Sequence, residues 1–285
     1  MCTSSALNSL HLRAAGTKRG FMEPATDEIL LARIRDGDRA ALEQVLERYQ
    51  RKVWRFGLKL CGNEADASDV VQETLLAAAR GLRQFRGEAS LSTWLFMLAR
   101  SFCIKMRRRP ALSEGLHEVL DRADPGPSPE ELSSSQQLHR ALEAAISSLG
   151  PPAREVFVLR DVEGLSAVET AKVLELSVEA VKSRLHRARA AVRAQIARAL
   201  QLPEASAAPG CPDIVDLYSR HLEGDIGKEL CEQMEAHLAT CERCTQQCDR
   251  LREVLATCRA SPLPEVPPQV QAALRAAIAQ LSGLE

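Results

Sequence analysis

Long apolar runs are missing from this chain of 285 residues. No stretch approaches the roughly 20 consecutive apolar residues that span a bilayer, so no membrane contact is expected. The opening segment "MCTSSALNSLHLRAAGTKRGFMEPA" lacks a continuous apolar core and a cleavage site, which argues against a secretory signal. Residues 1–25 are expected to be a disordered arm, and the protein is expected to be cytoplasmic. Aromatic side chains are scarce, at 4%. The abundant Ala, Leu, Arg and Glu favour helices. Net charge is almost absent, at −1, but it is the sum of unequal parts. Residues 201–285 carry 7 basic and 13 acidic side chains, a balance of −6, which leaves +5 for residues 1–200. An acidic appendage on a basic body fits nucleic-acid binding by the body. No acid or base is recognisably poised beside an open metal position, so the chain does not read as an enzyme.

Apolar residues recur at spacings of three and four from about Thr26 to Arg109, interrupted by "RDGD" and "RGEAS". This predicts a compact helical domain over 26–110. Acids crowd the start of "NEADASDVVQETLLAAARGLRQF", where a helix dipole favours them. Residues 111–135 are rich in Pro, Ser, Gly and charge and read as a flexible linker. A second helical block covers 136–202, a cysteine-rich region 203–261, and a last helix 262–285. The expected fold is all-α, in three helical parts.

Within 164–190, Ser166 is placed to cap a helix running to Leu174, and Ser177 to cap another running through Arg189, with "ELS" as the turn between them. Val168, Ala171, Val173, Leu174, Val178, Val181 and Leu185 offer apolar positions for packing the two at an angle. This is the helix-turn-helix plan, whose second helix enters the major groove. No acid lies between Glu179 and Glu204, whereas Lys182, Arg184, Arg187, Arg189, Arg193 and Arg198 do. Such one-sided charge suits phosphate neutralisation and guanine recognition.

"LGPPAREVFVLRDVEGLSAVETAKVLELSVEAVKSRLHRARAAVR" resembles region 4 of the extracytoplasmic-function (ECF) sigma factors, and the first domain resembles their region 2. "DASDVVQETLLAA" is similar to the acidic helix that docks on the polymerase β′ clamp helices. "FRGEASLSTWLFMLARSFCIKMRRR" is similar to the loop and helix that melt and read the −10 element. The resemblance implies a factor that brings core RNA polymerase, through its β′ clamp helices and β flap, to promoter DNA. It implies polymerase contact by Asp66, Asp69, Gln72 and Glu73, and −10 backbone contact by Arg100, Lys105, Arg107, Arg108 and Arg109. Ser183, Arg184 and Arg187 are expected at base edges of the −35 element, and Lys182 and Arg189 at phosphates. Trp94 and Phe96 read as core. Ser101 and Leu75 stand where the family often has Asn and an aromatic, which bears on fine promoter preference only.

Six of the nine cysteines (Cys211, Cys231, Cys241, Cys244, Cys248 and Cys258) fall within 48 residues. In a reducing compartment such clusters bind metal or do redox work. "HLATCERC" supplies His237, Cys241 and Cys244. On a straight helix His237 and Cys244 would stand about 10.5 Å apart, whereas ligands of one tetrahedral ion lie within about 4 Å of each other. Either the helix breaks near Cys241 or the residues serve different ions. "CPDIVDLYSRHLEGDIGKELCEQMEAHLATCERC" resembles the zinc-binding anti-sigma domain, which implies Cys211 as fourth ligand. Its fusion to a sigma factor is similar to the CorE-like group, whose tails sense metal directly, so no obligatory separate anti-sigma factor is expected. Cys231, Cys248 and Cys258 remain as further candidate ligands. Thiolate-rich sites suit zinc or cadmium first and copper second. A purely structural zinc, a thiol switch in the tail, and a metal-responsive repressor that never meets polymerase stay open. Cys61 and Cys103 lie on apolar helix faces and read as small buried apolar groups.

Overall fold

A computed structural model describes residues 25–108, 133–202 and 210–281, and every regular element among them is helical. The expected arm, nearly all of the expected linker, and Arg109 lie outside the described residues.

Helices α1 (Asp27–Arg35), α2 (Arg39–Cys61), α3 (Glu64–Gly81) and α4 (Leu91–Arg108) form the first module. Their starts follow local chemistry. Thr26, Asp38 and Asn63 cap α1, α2 and α3 with side-chain oxygens, each cap worth about 1 kcal/mol. Gly62, at φ 84°, closes α2 in the left-handed conformation that glycine adopts without strain. Phe56 and Phe96 meet at 5.0 Å in the core.

Helices α5 (Ser134–Ser148), α6 (Pro151–Phe157), α7 (Ala167–Leu174) and α8 (Val178–Ala199) form the second module. A single wide turn, Val158–Val162, extends α6. Ser166 and Ser177 cap α7 and α8, as the sequence predicts, and Glu169 completes a reciprocal capping box with Ser166. Helix α8 runs ten residues past Arg189. Val168 departs from its expected packing role, being 56% exposed on the outer side of α7.

Helices α9 (Ile214–Leu222), α10 (Lys228–Thr240) and α11 (Glu242–Ala260) form the tail, and α12 (Pro268–Leu281) follows. The tail has a small core of its own around Ile214, Tyr218, Met234 and Leu251. The two main modules share one apolar core, which Val254 and Cys258 of α11 and Val266, Val270 and Leu274 join. Helix α12 lies along α3. No described helix is long and apolar enough to cross a membrane.

Candidate metal centre and nucleic-acid interface

The helix does break where ligand geometry requires. Helix α10 ends at Thr240, Cys241 is extended at φ −112° and ψ 94°, and α11 starts at Glu242. The Thr245 hydroxyl fixes the corner by donating to the carbonyls of Leu238 at 2.8 Å and Cys241 at 3.1 Å. The result brings Cys211, His237, Cys241 and Cys244 together, with one ligand atom from each and all four within 4.8 Å of one another. His237 Nε2 is 3.2 Å from Cys244 Sγ, and Cys211 Sγ is 3.9 Å from Cys241 Sγ. Three sulfurs and one imidazole nitrogen at these separations fit a tetrahedral d10 ion. The backbone N–H of Cys244, at the start of α11, holds the Cys241 thiol below its usual range, helped by the Cys244 and Cys211 side chains. Burial pushes the Cys244 thiol up to about 12, so a bound cation would be needed to hold it as thiolate.

The other three cysteines are not brought to this centre. Cys248 is buried in the tail core and burial raises its thiol to about 11. Cys258 is buried in the shared core of the main modules and is raised to about 12 by the same cause. Cys231 is held in a disulfide bond, and its Sγ lies 3.5 Å from His221 Nδ1. Cys248 and Cys258 are spent on packing and Cys231 on a disulfide, so none of the three stands as a further ligand in this arrangement. Cys244, Cys248, Leu251, Leu255 and Cys258 repeat at four and three residues, an apolar helical stripe that was the available signal.

On α8, Ser183 and Arg187 are exposed and Arg184 is half-buried. Arg189 is elsewhere. Its guanidinium forks onto Asp161 at 2.6 and 2.8 Å and reaches Glu223, the residue after α9, at 3.0 Å, with all three side chains 2% exposed. Arg160 also bonds Glu223, and Ser219 accepts from Arg189 at 3.1 Å. A side chain so enclosed does not present itself to a phosphate, which corrects its expected role in this arrangement. Lys182 is paired with Asp225 at 2.9 Å. The tail thus takes up two of the cations expected on DNA. Its acids Glu223 and Asp225 lie 34 and 43 residues from those partners in sequence, and no local pattern marked them.

In the first module, Asp69 and Glu73 are exposed on α3, while Asp66 and Gln72 are half-buried. Asp66 helps cap α3 through Asn63 at 2.8 Å. On α4, Arg100 and Arg107 both bind Glu155 of α6, at 3.0 and 3.4 Å. Lys105 sits over the Phe102 ring at 5.1 Å, and the side chain of Arg108 lies outside the described residues. Phe96 is core, as expected, and Trp94 packs half-buried against that core while bordering a cleft of about 510 Å³ with Gly81, Phe85, Gly87, Met97 and Lys172. Trp94 meets Phe85 at 5.2 Å. Lys172, from α7, donates to the Glu88 carbonyl at the rim. Ser90 and Thr93 donate to Glu169, the α7 capping carboxylate, at 2.9 and 3.1 Å.

Arg55 of α2 gathers all three parts. It binds Glu163 at 2.7 and 2.9 Å, the Val162 carbonyl at 3.3 Å and the Ser261 carbonyl at 3.2 Å.

These features define a two-module helical chain with a helix-turn-helix and an appended Cys3His domain. Family models match it in the same order: sigma-70 region 2 over 45–111, sigma-70 region 4 over 139–192, and a zinc finger described as putative over 211–245. The ECF RNA polymerase sigma-E factor of Salmonella typhimurium is 32% identical over 180 residues, which cover 60% of this chain and 94% of that protein. The protein of the same name from Haemophilus influenzae is 32% identical over 184 residues, covering 61% and 97%. Among solved structures, CnrH in complex with the cytosolic domain of CnrY is 29% identical with a TM-score of 0.44, covering 60% of this chain and 97% of that one. The chain belongs to the ECF group of the sigma-70 family, which serves transcription initiation, and carries a zinc-finger-like domain behind its two sigma regions.

Proposed function

We propose that this chain directs core RNA polymerase to specific promoters and that metal bound by its tail sets how firmly the two sigma modules are held together. Region 2 would contact the β′ clamp helices through the α3 acids and the −10 element through α4. Region 4 would contact the −35 element through Ser183, Arg184 and Arg187, and polymerase through the β flap. The observation that carries the regulatory part is the double duty of α11. Its first turn supplies Cys244 to the Cys3His cluster, and its far end puts Val254 and Cys258 into the core shared by the sigma modules. Glu223 and Asp225, just past the end of α9, meanwhile engage Arg189 and Lys182 of α8.

Cys211, His237, Cys241 and Cys244 would hold the ion, which supplies a four-way cross-link and charge compensation for the thiolates. The ligand atoms already converge in the arrangement where the tail grips both modules. An ion that prefers this geometry therefore favours the gripped state by population shift. Zinc or cadmium suits the donor set first, copper second. The tail would do in cis what a separate anti-sigma factor does, as in the CorE-like group. A second reading, an ion needed simply for the tail to fold, is favoured by the small size of the tail core.

Run-off transcription with core polymerase tests this, comparing the full chain with one ending at residue 202, each with zinc, cadmium, copper or a chelator. The full chain should respond to metal severalfold and the shortened chain should not. Absence of start-site-specific transcripts from both chains would remove the sigma reading. A metal-indifferent full chain that oxidant controls would replace metal sensing by a thiol switch. Pull-down of core polymerase separates both from a free-standing repressor.

A further inference from the structure

Two cysteines outside the tail stand in a relationship that packing alone does not require. Cys61 is the last residue of α2 and half-buried; Cys103 lies on α4 and is fully buried. Their sulfurs are 2.8 Å apart, 42 residues apart in sequence. A disulfide bond measures about 2.05 Å, so a movement of less than about 1 Å would join them. Both belong with the core of the sigma modules, whereas the metal-binding thiols belong to the separate core of the tail.

The two thiols are unequal. The Cys103 thiol, donating toward Cys61, holds Cys61 below the usual thiol range, and the Arg107 charge assists against burial and Asp66. Cys103 is raised by that same hydrogen bond and by burial. The half-buried sulfur is thus the more acidic of the two, and the other is enclosed beside it. This is the asymmetry of an attacking and a resolving cysteine.

We propose that Cys61 and Cys103 form a redox pair that peroxide closes into a disulfide inside region 2, independently of the metal centre. The Cys61 thiolate attacks one peroxide oxygen, breaking the O–O bond, and becomes a sulfenic acid as hydroxide leaves. The Cys103 sulfur then attacks Cys61 sulfur, forming the S–S bond, and its proton leaves with the sulfenic oxygen as water. Two electrons pass from the sulfurs to peroxide, and a dithiol reductant reverses the change. The bond would tie the end of α2 to α4 between Arg100 and Arg107, the two side chains that Glu155 of α6 in the second module holds.

The test uses the full, zinc-loaded chain treated with hydrogen peroxide, alkylated and digested with trypsin without reduction. Peptide 60–80 should appear joined to peptide 101–105, two hydrogens lighter than their sum, and dithiothreitol should separate them. Zinc content, followed alongside, should be unchanged at the dose that forms this bond. Cys61→Ala and Cys103→Ala should each abolish the joined peptide. In Cys103→Ala, dimedone labelling of Cys61 should rise at least tenfold over the unsubstituted chain, because the sulfenic acid has no resolving partner. If no joined peptide forms while Cys241 and Cys244 oxidise and zinc is lost, the proposal fails. Should the Cys103 variant not fold, the joined peptide in the unsubstituted chain decides alone.

Discussion

Arg189 of α8 and Asp161 of the turn after α6 form a two-pronged ion pair, at 2.6 and 2.8 Å, from which water is almost wholly excluded. Glu223 of the tail completes it from the other side at 3.0 Å. A buried pair contributes little net stability over an apolar replacement, but removing one partner leaves a charge without solvent or counterion. Arg189→Met is accordingly expected to destabilise the chain by about 3 kcal/mol, measured by urea unfolding. Lys182→Met, which breaks the more exposed pair with Asp225, should cost about 1 kcal/mol or less.

Glu169 gives a pH dependence with a defined sign. The Ser166 backbone N–H, with the hydroxyls of Ser166, Ser90 and Thr93, holds its carboxyl below the usual value of 4.5. A folded-state value below the unfolded one means the stabilisation is complete above about 4.5 and is lost as pH falls through the folded-state value. The stability difference between the unsubstituted chain and Glu169→Gln should be largest near pH 7. It should close below the 4.5 reference value. Urea midpoints across that range measure it, and a gap that widens in acid would contradict the assignment.

Glu175 closes α7 at φ 55° and ψ 47°, the left-handed region that costs an L-residue about 1–2 kcal/mol. Glycine carries no such penalty, though it enlarges the unfolded ensemble. Glu175→Gly should therefore raise stability by about 0.5–1 kcal/mol, with the turn unchanged, as thermal unfolding would show.

Metal removal should act on the tail first. Cys211→Ser, His237→Ala and Cys244→Ser are each expected to weaken zinc binding by at least tenfold, measured by competition with a chromogenic chelator, while Cys248→Ser leaves it unchanged. Cobalt in place of zinc should show the absorption of a tetrahedral, three-sulfur site. Acid should release the ion, because protons compete for the same lone pairs.

Much of this was legible in the sequence because it is local. Ser166 and Ser177 mark helix starts within one turn, and ligand spacing against helical rise leaves a break near Cys241 as one of two outcomes, the one the structure shows. The enclosure of Arg189 was not legible, because its acids come from residues 28 and 34 positions away and the basic run of α8 looked the same on every face. In sequence Cys258 looks like a spare thiol, because nothing local separates the end of its helix from the tail. Its far end belongs to another core. Lys172 and Glu155 were likewise unmarked, since their partners Glu88, Arg100 and Arg107 sit on another module.

Arg55 has a consequence for how the molecule comes apart. One guanidinium answers to region 4 through Glu163 and Val162 and to the segment after the tail through Ser261. Losing either neighbour admits water to the charge and weakens its hold on the other. Release should consequently behave as a single concerted event, in which single-molecule distances across the two junctions change together and half-open forms are sparse.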